Sequence, residues 1–200
     1  MPDRKVWFGA ALGAWNGADV AGAGDAVHLV AQADQDDLDL FTVADHPYFG
    51  EKLDAHALVS FLLGRTERIS GAVSVTNLPS RPAPVLAGSD WRSTLYRESR
   101  PLIDEAAVGA GRDPADIADV FNFGGRITAE PLTDTRGDDG RWIGGSVRQW
   151  VDELTGAVLE HRARGFVFRG AGDQPAVDLA RWAREIVPAV RAAVADPGGR

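Results

Sequence analysis

The stretch LDLFTVADHPYFGEKLDAHALVSFLLGRTERISGAVSVT, residues 38–76, contains two strand patterns on either side of one helical pattern. The strand patterns, residues 38–45 and 68–76, are rich in β-branched and other apolar residues, which favour strands. Between them, residues 54–63 place leucine and valine at helical spacing. A strand, a helix and a second strand in this order predict a β-α-β unit with parallel strands.

The same alternation continues on both sides of this unit. Strand patterns occur at residues 6–12, 118–128 and 165–170, and helical patterns at residues 25–33, 102–110, 147–162 and 175–194. Ser146 is the expected N-cap of the third of these helices, and Asp113 before Pro114 predicts another helix start. The segment 133–145, rich in aspartate and glycine, is expected to be a flexible loop. This alternation predicts an α/β fold with a parallel sheet of about five strands.

The composition limits the classes of partner. The 200 residues carry a formal charge of -8 with no cysteine, and an acidic surface disfavours nucleic acid and anionic membranes. Disulfides and thiolate metal ligands are excluded, and no histidine or carboxylate spacing typical of a metal site is present. No segment has the roughly 18 consecutive apolar residues of a membrane span. We therefore expect a cytoplasmic protein with a small-molecule partner, no nucleic-acid or membrane partner, and no metal.

Three motifs in the first half carry a resemblance to a known family. They are DHPY at residues 45–48, RTERI at residues 65–69 and VTNLPSRPAPVLA at residues 75–87. Over residues 5–87 the chain resembles the bacterial luciferase-like family. That family holds FMN-dependent monooxygenases and reductases, together with oxidoreductases that use the deazaflavin F420.

Two later stretches resemble the C-terminal end of the same family. They are IDEAAVGAGRDPADIADVFNFGGRI at residues 103–127 and WVDELTGAVLEHRARGFVFRGAGDQPAVDLARWAREIVPAV at residues 150–190. The resemblance implies an incomplete (β/α) TIM barrel whose fourth, fifth and sixth strand-helix units are missing, because a complete barrel takes about 250 residues. It implies one luciferase-like domain over residues 1–200, with an N-terminal barrel half at residues 1–87 and a C-terminal barrel part at residues 88–200.

Asp45 and His46 are the candidate catalytic residues. They follow the strand pattern at residues 38–45, and the carboxyl ends of barrel strands carry the chemistry of this fold. The resemblance implies that the pair lines the cofactor-ring site, where His46 orients substrate or transfers a proton. The alternative is structural: Asp45 caps the following turn, and His46 stabilises the loop before Pro47.

The candidate cofactor-binding residues are taken from the resemblance. It implies that the flavin or deazaflavin ring rests against the end of the third strand, at a cis peptide between Ser74 and Val75, with Thr76 and Asn77 bonding ring heteroatoms. The alternative is a strand end followed by an ordinary Thr-Asn turn. Arg169 and Gly170, at the end of the last strand pattern, are candidates because late-strand turns approach the cofactor in the family.

Two functions stay open at this point. The resemblance implies hydride transfer between F420 and a small organic substrate, with FMN as the alternative cofactor. The other function is a non-catalytic relative that binds a flavin-like ligand, or no cofactor, or serves only as a dimeric scaffold. A homodimer is expected in either case, because an opened barrel leaves unpaired strand edges.

Overall fold

The computed structural model describes residues 5–12, 20–45, 55–74, 91–92, 94–171 and 174–196. Its strands are β1 (Trp7–Ala11), β2 (Leu40–Ala44), β3 (Ser70–Ser74), β4 (Asp119–Thr128), β5 (Gly144–Ser146) and β6 (Ala163–Gly170). Its helices are α1 (Val20–Gln35), α2 (Ala55–Leu63), α3 (Thr94–Gly109), α4 (Val147–His161), α5 (Pro175–Arg181) and α6 (Val187–Ala195), with a 3-10 turn at Pro114–Asp116 and a π-helical segment at Trp182–Ile186.

The strands form one parallel sheet in the order β3-β2-β1-β6-β4-β5. All the predicted strands are present within the described residues, so the parallel α/β fold is confirmed. The described residues form six strands, where about five were predicted. The additional strand is β5, which pairs with the end of β4 through Arg126 and Gly144. The alternating helices and the six described strands, against eight in a closed barrel, are consistent with an incomplete TIM barrel.

One face of the sheet, which we call the outer face, packs against the helices through aromatic residues. Phe8 pairs in register with Phe166 across β1 and β6, and Phe166 pairs with Phe121 of β4. Trp182 stacks on Phe168 with ring centroids 4.9 Å apart. These side chains are buried, so the core lies between this face and the helices α1, α2 and α4 to α6.

The opposite face, which we call the inner face, carries smaller and more polar residues. Side chains alternate between the two faces along a strand. The in-register pairs show which residues share a face with the aromatic side chains, so the residues between them lie on the inner face. These inner-face residues are Leu40, Thr42, Ser70, Ala72, Ser74, Val120, Asn122, Val167 and Arg169.

Two predicted helix starts are confirmed. The Ser146 side chain accepts a hydrogen bond from the Gln149 N–H, and the Gln149 side chain accepts one from the Ser146 N–H, which forms a capping box. Asp113 caps the 3-10 turn by accepting from the Ala115 N–H. Helix α3 begins at Thr94, eight residues before the predicted start at 102, and contains Pro101.

The segment 133–145 is more structured than the loop prediction implied. Arg136 and Trp142 form an antiparallel bridge, and the Arg136 guanidinium pairs with Glu153 of α4 while lying 5.9 Å from the Trp142 ring centre. Trp142 is buried. Gly144 has φ of 131°, and a Cβ there would come within 2.3 Å of the Arg126 carbonyl oxygen, so this strand pairing requires glycine. The tryptophan and this glycine anchor the segment to the sheet.

Two carboxylates fix the amino ends of the strands. Asp39 accepts from the Phe8 N–H at 2.9 Å and forms ion pairs with Lys5 and with Arg191 of α6. Asp34 accepts three backbone N–H groups from residues 67–69, just before β3. Burial would raise the pKa of Asp34, but these three hydrogen bonds and the nearby Arg68 charge lower it below the ordinary value.

Candidate functional site

The carboxyl edge of the sheet holds four of the predicted site residues. Asp45 directly follows β2 and is half-buried, and Ser74 ends β3 and pairs in register with Ala44. Arg169 and Gly170 end β6 and are exposed. The other predicted site residues, His46, Val75, Thr76 and Asn77, lie outside the described residues, as does the peptide between Ser74 and Val75.

A cavity of about 460 Å³ opens on the inner face of the sheet. Leu40 and Thr42 of β2, Ala72 and Ser74 of β3, and Val167 of β6 form one wall. Tyr96, Arg100 and Ile103 of α3 and residues 117–122 at the amino half of β4 form the other. Its volume lies within the range of about 300 to 1,000 Å³ that is usual for small-molecule sites.

The cavity wall is mostly apolar, with a few polar groups. Thr42 of β2 and Ser74 of β3 each supply a hydroxyl group from the inner face, and Asn122 of β4 supplies an amide. Apolar surface with a few placed hydrogen-bonding groups is the usual chemistry of a small-molecule site. The cavity can therefore bury the apolar part of a small organic molecule and orient it by hydrogen bonds.

A buried ionic cluster forms the α3 side of the cavity. Arg100 Nη1 donates to Asp119 Oδ1 at 2.6 Å, and the Tyr96 hydroxyl donates to Asp119 Oδ2 at 2.9 Å. Asp104 contacts both Arg100 and Arg162. Burial, the hydrogen bond to Asp119 and the Asp119 charge raise the pKa of Tyr96 well above its ordinary value. Tyr96 is therefore a neutral donor over the physiological pH range.

Two exposed arginines lie on neighbouring strands at the carboxyl end of the inner face. Arg169 of β6 pairs in register with Gly124 of β4, and Arg126 follows two residues later on the same face of β4. Both side chains are exposed, and neither forms an ion pair within the part of the chain that the structure describes. In a chain of net charge -8, this pair is a local positive patch suited to an anionic group.

The structure brings together only part of the predicted site. Of the described candidates, Ser74 lines the cavity, whereas Asp45, Arg169 and Gly170 lie at the sheet edge outside its lining. The sequence reasoning missed Thr42, Asn122 and the α3 cluster. Thr42 and Asn122 could have been predicted from FTV at residues 41–43 and FNF at residues 121–123. In each, a polar residue stands between two apolar ones, so its side chain lies on the opposite face of the strand.

The described residues fit the ring of a flavin or deazaflavin better than they fit its phosphate. The inner-face cavity has the volume and wall chemistry for the ring. The only candidate cations that the described residues offer at the carboxyl end of the inner face are Arg126 and Arg169, both exposed.

The described residues give no support for two other kinds of site. Within those ranges, no group of three histidine, aspartate or glutamate side chains could hold a metal ion. None of the described helices has the length and apolar character needed to cross a membrane.

Comparison with known proteins supports the fold. The structure resembles that of an F420-dependent secondary alcohol dehydrogenase in complex with an F420-acetone adduct, with a TM-score of 0.66 and 11% sequence identity. The match covers 94% of this chain and 99% of that chain. No family model matches the sequence, and no curated protein matches it either.

This structural likeness confirms the fold that the luciferase-like resemblance implied, since that family includes F420-dependent oxidoreductases. At 11% identity the likeness establishes the fold alone. The cofactor and reaction require arguments from the site itself.

Proposed function

We propose that this protein is an oxidoreductase of the luciferase-like type that binds F420 at the carboxyl end of the inner face and transfers a hydride to or from a small organic substrate. The observation that carries the proposal is the position of Ser74, which lines the inner-face cavity and also ends β3 at the edge where this fold carries its chemistry. The likeness to an enzyme that binds F420 favours this cofactor over FMN.

The chain's own residues bind and orient the reactants. Ser74 and Thr42 offer hydroxyl groups to the polar edge of the ring, and the apolar wall formed by Ala72 and Val167 excludes water from its face. When bound, F420 supplies the hydride chemistry, so the protein needs only to orient the cofactor and substrate and to exclude water.

The charged residues at the carboxyl edge complete the proposed site. Arg169, with Arg126 beside it on the next strand, attracts the anionic part of the cofactor, and Gly170 follows at the same edge, where Asp178 occupies the space that a side chain would take. Asp45 and His46, by resemblance, lie near the substrate, where His46 moves a proton to or from the substrate oxygen.

A homodimer is part of the proposal. Strand β3 pairs only with β2 among the described strands, and an open strand edge with free N–H and C=O groups favours association with a second chain. Light scattering coupled to size-exclusion chromatography would give a mass near twice 21.3 kDa. A mass of one chain at micromolar concentration would remove the dimer without affecting the proposed cofactor site.

The test is a fluorescence titration of the protein with F420 and, separately, with FMN. We expect saturable binding of F420 with a dissociation constant in the micromolar range and weaker binding of FMN. Ser74→Leu places a bulky side chain at the proposed ring site, so it should weaken F420 binding at least tenfold.

Ser70→Leu is the matched control, because Ser70 occupies the same strand and the same face but lies at the amino end and is exposed. It should leave F420 affinity unchanged. Equal affinity in the two variants, or no binding of F420 by the folded wild-type protein, would overturn the proposal. Tighter binding of FMN than of F420 would overturn the choice of cofactor.

A further inference from the structure

The carboxyl end of β4 extends beyond the strand that pairs with it. Strands β4 and β6 pair in register as far as Gly125 and Gly170, and the Ala171 N–H donates to the Gly125 carbonyl oxygen at 3.3 Å. Strand β4 continues to Thr128, whereas β6 ends at Gly170. Among the described strands, the last three residues of β4 therefore have a neighbour on the β5 side only.

Arg181, the last residue of α5, takes the place of the missing strand neighbour. Its Nη1 donates to the Ile127 carbonyl oxygen at 2.7 Å, and its Nη2 donates to the Thr128 carbonyl oxygen at 3.4 Å. Carbonyl groups two residues apart along a strand point to the same side, so the Ile127 carbonyl follows that of Gly125 on the β6 side. The guanidinium therefore continues the hydrogen bonding on this side beyond the end of β6.

Arg181 is itself held in place by its neighbours. Its Nε pairs with Glu185, one turn later, at 3.2 Å, and its side chain is only 25% exposed. The next residue, Trp182, is fully buried and stacks on Phe168 of β6 with ring centroids 4.9 Å apart. Through Trp182 and its own guanidinium, Arg181 therefore links β6 to the end of β4.

The residue that this link places is Arg126. Its N–H donates to the Ile143 carbonyl oxygen at 3.1 Å, and its carbonyl oxygen accepts from the Trp150 indole at 3.1 Å. These bonds hold Arg126 toward β5 and α4, while Arg181 holds the following residue toward β6. Because Arg169 is on β6, the spacing of Arg126 and Arg169 depends on how closely the end of β4 stays with β6.

We propose that Arg181 is a positioning residue for anion recognition: it holds the end of β4 beside β6, so that Arg126 and Arg169 contact the anionic chain of the cofactor together. The inference rests on the proposed function. Two cations on separate strands bind one anion best when their spacing is fixed before binding, because ordering them on binding costs free energy. Arg181 acts through the backbone of β4 and not by contact, because its terminal nitrogens already donate to carbonyl groups.

The test compares F420 with FO, which keeps the deazaflavin ring and ribityl chain of F420 but lacks the anionic phosphate chain. In fluorescence titrations, Arg181→Met should weaken F420 binding about tenfold, because it displaces one of the two cations. Binding of FO should change by less than about twofold, since the ring site is built from other residues. A general loss of structure would weaken both ligands alike.

Arg184→Met is the matched control. It removes the same charge from the next turn of the same helical segment, but Arg184 pairs with Asp36 and not with β4. This variant should bind F420 and FO as the wild type does.

A double variant shows whether Arg181 acts through Arg126. Arg126→Ala alone should weaken F420 binding, because it removes one of the two cations. Adding Arg181→Met to Arg126→Ala should weaken it further by less than about twofold, because a contact that is already lost cannot be lost again. Circular dichroism of each variant shows whether the fold is retained.

Four results would overturn this proposal: unchanged F420 affinity in Arg181→Met, equal weakening of F420 and FO, an equal loss in Arg184→Met, or additive losses in the double variant. If Arg181→Met does not fold, Arg181→Lys takes its place. Lysine keeps one donor for the Ile127 carbonyl but lacks the fork, so F420 binding should weaken about threefold with FO unchanged.

The wild-type protein separates failure of this inference from failure of the proposed function. If it does not bind F420, the proposed function is wrong and this inference with it. If it binds F420 and Arg181→Met has no selective effect, only the role of Arg181 is wrong.

Discussion

The two faces of the sheet are built from different side chains. Outer-face residues such as Phe41 and Phe166 are fully buried and belong to one hydrophobic core with Trp182. At neighbouring positions of the same strands, Thr42 and Val167 border a cavity instead. Because side chains alternate along a strand, one residue packs in the core and the next lines the cavity. The comparison indicates that stability comes mainly from the outer face, which leaves the inner face available for binding.

The largest expected effect is on the outer face. Trp182→Ala removes a fully buried ring that stacks on Phe168 and approaches Phe8 and Trp150. Truncating a buried aromatic to alanine costs about 3–5 kcal/mol, and urea denaturation should show a loss in the free energy of unfolding of that size. Trp7→Ala is the control, because Trp7 is 39% exposed. Because part of its ring surface is already exposed to water, it should cost clearly less than Trp182→Ala, and equal costs for the two would contradict the contrast between the two faces.

The next effect concerns the ionic cluster beside α3. Asp119→Asn keeps the shape of the side chain but removes the charge that Arg100 faces at 2.6 Å. Removing one partner of a buried ion pair costs about 3 kcal/mol, which chemical denaturation at pH 7 would measure. Asp152→Asn breaks the exposed pair with Arg148 and should cost under about 0.5 kcal/mol. A loss for Asp119→Asn as small as that control would show that the cluster adds no stability.

Two adjacent residues of β2 give a direct comparison of the faces. Val43→Thr places a hydroxyl into the packed outer face, where Val43 is buried, and should cost about 1–2 kcal/mol. Thr42→Val makes the reverse change on the cavity side and should alter stability by less than about 0.5 kcal/mol. Thermal and urea unfolding of the pair would test this, and a larger loss from Thr42→Val than from Val43→Thr would reverse the assignment of the two faces.

The smallest effect concerns the turn before β3 and depends on pH. The pKa of Asp34 is lowered in the folded state, so its contribution is present above the unfolded value near 3.8 and is lost as pH falls through the folded value. Asp34→Asn should therefore lower stability by about 1 kcal/mol at pH 7. The difference from wild type should shrink toward pH 2.

Urea unfolding at several pH values between 2 and 7 would show this trend. Asp37→Asn, at an exposed residue three positions after Asp34, is the control and should follow the wild-type profile. A difference between Asp34→Asn and wild type that stays constant with pH would contradict the assigned cause.

Much of this fold follows from local sequence patterns. Apolar strand runs and the capping residues Ser146 and Asp113 predicted the elements because strand propensity and capping act over a few residues. Strand β5 was not predicted, because its three residues, two of them glycine, show no strand pattern. Its pairing depends on the distant Arg126 backbone and on burial of Trp142.

The candidate site was predictable only at its edge. Strand ends located Asp45, Ser74 and Arg169, since parallel strands bring their carboxyl ends to one side. The cavity itself depends on how β3, β4 and α3 are placed around the inner face, which involves residues far apart in the chain. Arg100 in particular reads as an ordinary helical arginine, because only tertiary packing brings it to Asp119.

The most direct test of the account is a crystal structure of the protein grown with saturating F420. We expect the deazaflavin ring to lie on the inner face of the sheet against Ser74, with the anionic chain toward Arg126 and Arg169. A ring bound on the helix-covered outer face or away from β3, or a structure without F420 at saturating concentration, would contradict it.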